Sequence, residues 1–434
     1  MTLNLGLRYE YQQMPDPQIP NPLEPRTSSF PADKNNWGPR IGVNWDARGD
    51  GNTVVRGGYG IFYGRIINST ISNGITNTGL ATGQLSLTFQ PTTAGAPVYP
   101  NILPSAAASV TRPNIVFFEP DTQNPTIHQF DLIFDQKIAP NTVLSVSYVG
   151  SKGHHLPVFL DQNLPAPSGT LSYAMSGGPL DGTVQTVPVY TGSRPNANFT
   201  QMTQITYGVD TTYNALVLAL NRRLTKGLQV QTSYTFSRSR DNGQSSQTFT
   251  AANNVLNPQD LSLEESVSNF DVPHRFSFSA VWQPRSSNVL LDGFTFAPVI
   301  TASSGAPFNG FVSGNAPPAN RILTGLEGNG GTNRIPSVGR NAFRLPYQTN
   351  LDLRIARSFS LPGRTKIEVL AEGFNLFNRI NYTTANTTFY TIGGTATAPT
   401  MVYNSATFGT FTNANSGTFA PRPREIQLGA RVTF

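Results

Sequence analysis

The sequence contains no cysteine, which excludes disulfide bridges, cysteine-ligated zinc and thiol catalysis together. Charge is scarce as well. Asp, Glu, Lys and Arg make up 12% of 434 residues, against roughly 25% in an ordinary soluble domain. Hydrophobic residues are also few, at 38%. No apolar run reaches the roughly 18 residues that a membrane-spanning helix needs, so a helical membrane protein is excluded on length. The net charge of +6 is small for this length. The basic residues are mostly arginines scattered one to a segment, a pattern unlike a nucleic-acid-binding stripe. At the N-terminus, Met1-Thr2-Leu3-Asn4-Leu5 has no basic n-region and no apolar h-region, so no signal peptide is expected there.

Gly, Asn, Ser and Thr fill the space left by charge and apolar bulk, and they are arranged with a period of two. In "TLNLGLRYEY", Leu3, Leu5, Leu7, Tyr9 and Tyr11 fall on one side of an extended chain, and Asn4, Gly6, Arg8 and Glu10 on the other. "WGPRIGVNWD" alternates in the same way and turns through "ARGDG" into "NTVVRGGYGIFYG", the signature of a hairpin. The unit recurs. "TIHQFDLIFDQKI" turns into "TVLSVSYVG", "NALVLALNRRL" into "LQVQTSYTFSRS", and "NLDLRIARSFSL" into "KIEVLAEGFNLFN". "DVPHRFSFSAVWQ" pairs with "LDGFTFAPVITASS", and "REIQLGARVTF" closes the chain. About twelve strands result, each of the length that crosses a bilayer at a tilt.

Connection lengths carry the topology. Short turns at 47–51, 139–141, 225–227 and 362–365 alternate with long segments near 12–36, 65–125, 151–213, 239–271, 304–345 and 382–422. Long unstructured loops are rare in compact soluble domains, whereas an outer-membrane barrel has short periplasmic turns and long extracellular loops. The reading is therefore an all-β chain, an antiparallel transmembrane β-barrel in the outer membrane of a Gram-negative bacterium. By strand parity both termini lie in the periplasm. Leu5, Val43, Ile61, Leu132, Val146, Leu218, Val230, Phe278, Leu353 and Leu428 are expected to face lipid. Arg8, Arg40, Arg56, Arg223, Arg275, Arg354 and Arg431 are expected to face a polar lumen. Aromatics such as Tyr9, Trp37, Trp45, Tyr148, Tyr234 and Trp282 lie towards strand ends, as interfacial girdles require. A large soluble β-sandwich or propeller also alternates and is the competing fold.

"NNWGPRIGVNWD", "VVRGGYGIFYGR", "SYVGSKGHHL", "YNALVLALNRRL", "TSYTFSRSRDN", "DVPHRFSFSAVW", "AEGFNLFNRINY" and the terminal Phe434 follow one another along the whole chain. In that order they closely resemble the Oar-like TonB-dependent outer-membrane receptors. The resemblance implies a 22-stranded barrel plugged by an N-terminal domain, which a carboxypeptidase-regulatory-like β-sandwich usually precedes. Residues 1–434 then read as a single barrel region, the C-terminal part of such a barrel, without plug, TonB box or regulatory-like domain.

Candidate sites are few. His154-His155 falls at the start of a long segment with no acidic neighbour in sequence, and reads as solvated loop histidines rather than a metal pair. "DARGDGN" lacks the ligand spacing of a calcium loop and reads as a hairpin turn with Gly49 and Gly51 at positive φ. Its Arg48-Gly49-Asp50 points to the periplasm on this topology, away from any adhesion partner. Gly57, Gly58 and Gly60 mark close approach or a bend in a strand. Asn375-Leu376-Phe377-Asn378 breaks the alternation and calls for a bulge. No nucleophile elbow or acid-paired histidine is present in sequence, so neither enzyme activity nor a cofactor is expected. Ile426, Leu428, Val432 and Phe434 carry the terminal alternation that the barrel-assembly machinery recognises in the families this chain resembles.

The leading reading is outer-membrane transport: the barrel of a TonB-dependent receptor taking up a large substrate. Its partners would be outer-membrane lipid, the barrel-assembly machinery, and TonB through a plug that this chain lacks; nucleic acid is not among them. The alternative is a plug-less passive pore or a surface-binding barrel, with a soluble β enzyme as a distant third.

Overall fold

The computed structural model describes residues 1–80, 82, 96–100, 112–243, 255–284, 292–415 and 422–434. Among the described residues its main sheet has two short strands, Ile115–Phe118 and Ser266–Val267, and twelve long ones. The long ones begin with β1 (Thr2–Tyr9), β2 (Trp37–Asp46), β3 (Thr53–Tyr63), β4 (Thr126–Ala139), β5 (Thr142–Asp161) and β6 (Met202–Thr225). The second half comprises β7 (Leu228–Asp241), β8 (His274–Trp282), β9 (Phe294–Ser303), β10 (Gln348–Ser360), β11 (Lys366–Phe374) and β12 (Glu425–Thr433). Their order in the sheet is their order in the chain, and every neighbour is antiparallel. Such a meander needs only hairpins, and the short turns all join consecutive strands at one rim.

The tight turns follow local chemistry. Between β2 and β3, Asp46 accepts hydrogen bonds from the backbone N–H groups of Arg48, Gly49 and Gly51. Gly49 and Gly51 take φ of 75° and 69°, which a side chain would strain. Asn141 and Lys226 hold the corresponding left-handed positions in the β4–β5 and β6–β7 turns, at φ of 60° and 49°.

Register links the apolar positions across the sheet. Leu5 opposes Ile41, Ile41 opposes Tyr59, and Tyr59 opposes Phe130. Val146 opposes Leu218, Leu218 opposes Tyr234, Phe278 opposes Ile300, and Ala371 opposes Leu428. A one-residue slip would move the whole set to the other face. This face stays open: Leu5 is 71% exposed, Leu132 57% and Leu428 82%. A contiguous apolar surface of that size has no place in water.

The dense packing lies beyond the sheet's loop-side rim. Three long connections contribute strands to a separate five-stranded sheet, ordered Phe311–Ser313, Thr388–Gly394, Pro399–Tyr403, Gly169–Ser176, Val184–Val189. Tyr173, Met175, Val187, Val312, Leu326, Ile335, Phe389, Tyr390 and Met401 form its core. A second core joins the β3–β4 connection to the projecting ends of β5 and β6. Helix α1 (Asn68–Thr76) and the strand Ile115–Phe118 pack there through Ile71, Val116 and Phe118 against Phe159, Ile205 and Tyr207.

Three expectations are corrected. The segment 151–213 is not all loop, because β5 runs to Asp161 and β6 begins at Met202; Val158, Phe159, Ile205 and Val209 are fully buried there, and that burial holds the strands extended. Asn375–Asn378 is a turn after β11 rather than a bulge within it. Asn375 and Asn378 take φ of 46° and 50°, and the Asn375 side chain donates to the Arg379 and Arg422 carbonyls and accepts from the Arg379 N–H. His154 lies within β5 and does have an acidic neighbour: its Nδ1 sits 3.0 Å from Oδ1 of Asp210 on β6.

Candidate functional site

The opposite face of the twelve-stranded sheet is polar. Arg40 opposes Gly6 and Gly60, Arg56 opposes Asn44, Arg275 opposes Thr235 and Ser303, Arg354 opposes Glu372, and Arg431 opposes Glu368. Arg8 opposes Gly38, and Arg223 continues the parity of Asn221, which opposes Val143. All seven arginines singled out above therefore share one face, away from Leu5, Leu218 and Leu428. Several are paired. Arg56 bonds Asp135, Arg8 lies 2.8 Å from Glu10, and Arg354 lies 3.0 Å from Glu368 and 3.5 Å from Glu372. The Arg40 guanidinium stacks 4.3 Å from the Phe62 ring centre, a cation–π geometry. Among the described residues Arg223, Arg275 and Arg431 make no ion pair. Exposed and solvated pairs of this kind contribute little to stability; their effect is to line the face with fixed charge.

Towards the loop-side rim the apolar face ends in aromatic residues with polar tips. The Tyr59 and Tyr234 hydroxyls each lie 2.7 Å from a histidine Nδ1, of His128 and His274 respectively. Tyr148 donates to Asn214 Oδ1, Tyr9 to the Lys34 carbonyl, and Tyr63 to the Trp37 carbonyl. An apolar ring with a hydrogen-bonded tip suits a boundary between hydrocarbon and water. On β12, Ile426, Leu428 and Val432 oppose Gly373, Ala371 and Ile367, and Phe434 beyond them is 96% exposed.

Sequence reasoning missed a buried ionic cluster under the loop sheet. Glu264, in the connection from β7 to β8, accepts from Arg334 Nη2 at 2.7 Å and from the Leu256 N–H at 2.7 Å. Arg340 donates to Asp241 at the end of β7 and lies 3.5 Å from Glu264. Arg344 bonds Asp271 at 2.6 Å, and its Nη1 donates to the Asp271 and Gly305 carbonyls. Burial pushes the Arg334 guanidinium pKa down while the Glu264 carboxylate holds it up, and the cation persists because arginine does not deprotonate in proteins. A buried pair of this kind specifies one arrangement more than it stabilises; here it ties the β9–β10 connection to β7. A cavity of about 410 Å³ opens beside it, lined by Glu264, Arg334, Arg340, Asn309, Phe311 and a glycine-rich stretch including Gly330 and Gly331. The signal present in sequence was the spacing of Arg334, Arg340 and Arg344 within a segment otherwise rich in Gly and Asn.

The chain matches the family described as outer membrane beta barrel domain over residues 1–427. The chain belongs to that family. The outer-membrane β-barrel domain lies in the outer membrane of a Gram-negative bacterium, and its open apolar face is the lipid-contacting surface that this environment requires. Its relation to solved structures is distant. The outer-membrane transporter YddB from Escherichia coli aligns at 11% identity and a TM-score of 0.49, over 93% of this chain and 41% of that one. The siderophore receptor PiuA from Acinetobacter baumannii aligns at 9% and 0.46, over 99% and 40%. The ferripyoverdine receptor of Pseudomonas aeruginosa aligns at 10% and 0.45, over 92% and 33%. The barrel domain spans less than half the length of each. A search of curated protein sequences returns no match.

Proposed function

We propose that this barrel domain belongs to an Oar-like TonB-dependent receptor and forms one arc of a larger closed barrel that takes up a large ligand across the outer membrane. The observation that carries this reading is the arrangement of the sheet edges. Among the described residues β1 pairs only with β2, and β12 only with β11. An unpaired strand edge in hydrocarbon costs several kcal/mol per unsatisfied group, so each edge needs a partner in the membrane, and in this reading further strands supply it. The loop connections, folded into a cap with its own core, support ligand capture at the outer surface. The charged face beneath them supports a polar passage. Energy would come from TonB through a plug, and Ile426, Leu428, Val432 and Phe434 would serve the barrel-assembly machinery during insertion.

Planar-bilayer recording on the purified chain tests the reading. An arc that needs further strands gives no stable single-channel conductance. A steady, uniform conductance would overturn the receptor reading in favour of a passive pore.

A further inference from the structure

Beyond the aromatic residues that end the apolar face, neighbouring strands carry basic side chains on that same face. Tyr148, Leu216, Phe236 and His274 lie opposite one another across β5 to β8, on the side of Val146 and Leu218. Further towards the loops, Gly150 opposes Asn214 and Asn214 opposes Arg238; beyond them Lys152 opposes Thr212 and Thr212 opposes Arg240. Side chains alternate along a strand, so Lys152, Arg238 and Arg240 share the lipid-facing parity. Two strand spacings of about 4.8 Å separate Lys152 from Arg240, and about 7 Å of strand separates Arg238 from Arg240. The same face of β3 ends on Tyr63 and that of β9 on Ala302, so the charge is local.

Lys152 and Arg238 are exposed, and among the described residues neither makes an ion pair. Arg240 reaches Glu265 only at 3.5 Å, with both side chains open to solvent. Asp210, the acid beside them, is held by His154 at 3.0 Å. Depth decides what meets this patch. β7 has 14 residues; at about 3.3 Å each and a tilt of about 40° such a strand rises roughly 35 Å, more than the hydrocarbon core of about 30 Å. Leu228 starts β7 at a short turn, so Arg238 and Arg240 emerge at the level of the headgroups on the loop side. Arginine grips phosphate through paired N–H bonds, and lysine meets it as a point charge.

We propose that Lys152, Arg238 and Arg240 form a docking surface for the phosphate groups of an anionic glycolipid in the outer leaflet. The aromatic belt beneath them packs against the acyl chains of the same lipid, and the basic patch fixes its headgroup. This rests on the long connections lying outside the cell and is independent of what the barrel carries. Lipid binding is measured without transport, so failure of either leaves the other distinguishable.

The test is fluorescence anisotropy of bisphosphorylated lipid A, dye-labelled on one acyl chain, titrated with the full chain in neutral detergent micelles. Bound lipid is read whether or not the open sheet edges associate. Unlabelled lipid A displaces the probe, whereas the same lipid stripped of both phosphates, or inorganic phosphate at the same concentration, does not. Lys152→Gln, Arg238→Gln and Arg240→Gln together weaken binding about tenfold or more, the loss of three cations at the headgroup level. The charge-keeping set Lys152→Arg, Arg238→Lys and Arg240→Lys retains binding, which separates lost charge from a disturbed strand. Arg48→Gln, Lys226→Asn and Arg364→Gln remove three exposed cations from the short turns at the other rim and leave binding unchanged. No saturable binding, equal competition by the dephosphorylated lipid or by inorganic phosphate, unchanged affinity in the first set, or an equal loss in either of the other two sets would overturn the proposal.

Discussion

Glu327 shows how a single residue of the cap responds to its surroundings. It is 2% exposed, accepts from Asn329 Nδ2 at 3.0 Å, and its carbonyl accepts from the Tyr190 N–H. Burial raises its pKa from 4.5 to about 7, with Arg321 pulling the other way. A carboxyl whose pKa is higher folded than unfolded stabilises most when protonated. That contribution is complete below pH 4.5 and is lost as the pH rises through about 7. The cap is therefore expected to loosen over that interval, read as faster exchange of the Tyr190 amide after correction for intrinsic rates. Glu327→Gln, neutral throughout, should remove the dependence; an unchanged profile in the variant would show that another group titrates. None of this was legible beforehand. Leu326-Glu327-Gly328-Asn329 reads as a solvated turn, and Tyr190, whose N–H bonds the Glu327 carbonyl, lies far away in sequence.

At the scale of elements, periodicity was informative where one face of a strand meets lipid and the other water. Leu218 opposes Val146 and Tyr234, while Val217 opposes Ser147 and Thr235, as the alternation of "NALVLALN" implies. Leu218→Arg should cost about 2 to 4 kcal/mol in a refolding assay in lipid vesicles if it lies near the midplane, and Val217→Arg much less. Equal tolerance would mean that the faces are wrongly assigned. Gly150 was legible only as a small residue; a Cβ there would lie 2.3 Å from the Phe130 ring, which packs over the glycine from β4. The loop sheet escaped notice for a physical reason. Its strands are short, and two of its four pairings are parallel contacts between distant connections, Phe311–Ser313 with Thr388–Gly394 and Pro399–Tyr403 with Gly169–Ser176. No local period announces such a partner.

For the whole molecule, the division into a lipid-facing sheet and a packed outer cap explains why charge and apolar residues are both scarce in the sequence. The cap has the buried core that the sheet lacks. The long antiparallel strands and the alternation of short and long connections were legible, because each follows from patterns within a few dozen residues. The open edges at β1 and β12 lead to a further expectation. The chain refolded alone in detergent should associate through those edges and migrate without a compact, heat-modifiable monomer band, whereas such a band would show that β1 and β12 close on each other. The most direct test of the central claim, a sheet with one face in lipid and one in water, uses the absence of cysteine as a clean background. Spin labels are attached at single cysteines replacing each residue from Ala215 to Leu220 in membrane-inserted protein, and collision with oxygen is compared with collision with a water-soluble nickel chelate. The account predicts strict alternation, with positions 216, 218 and 220 reached by oxygen and 215, 217 and 219 by the chelate or by neither. Uniform accessibility, or a period near that of a helix, would contradict it.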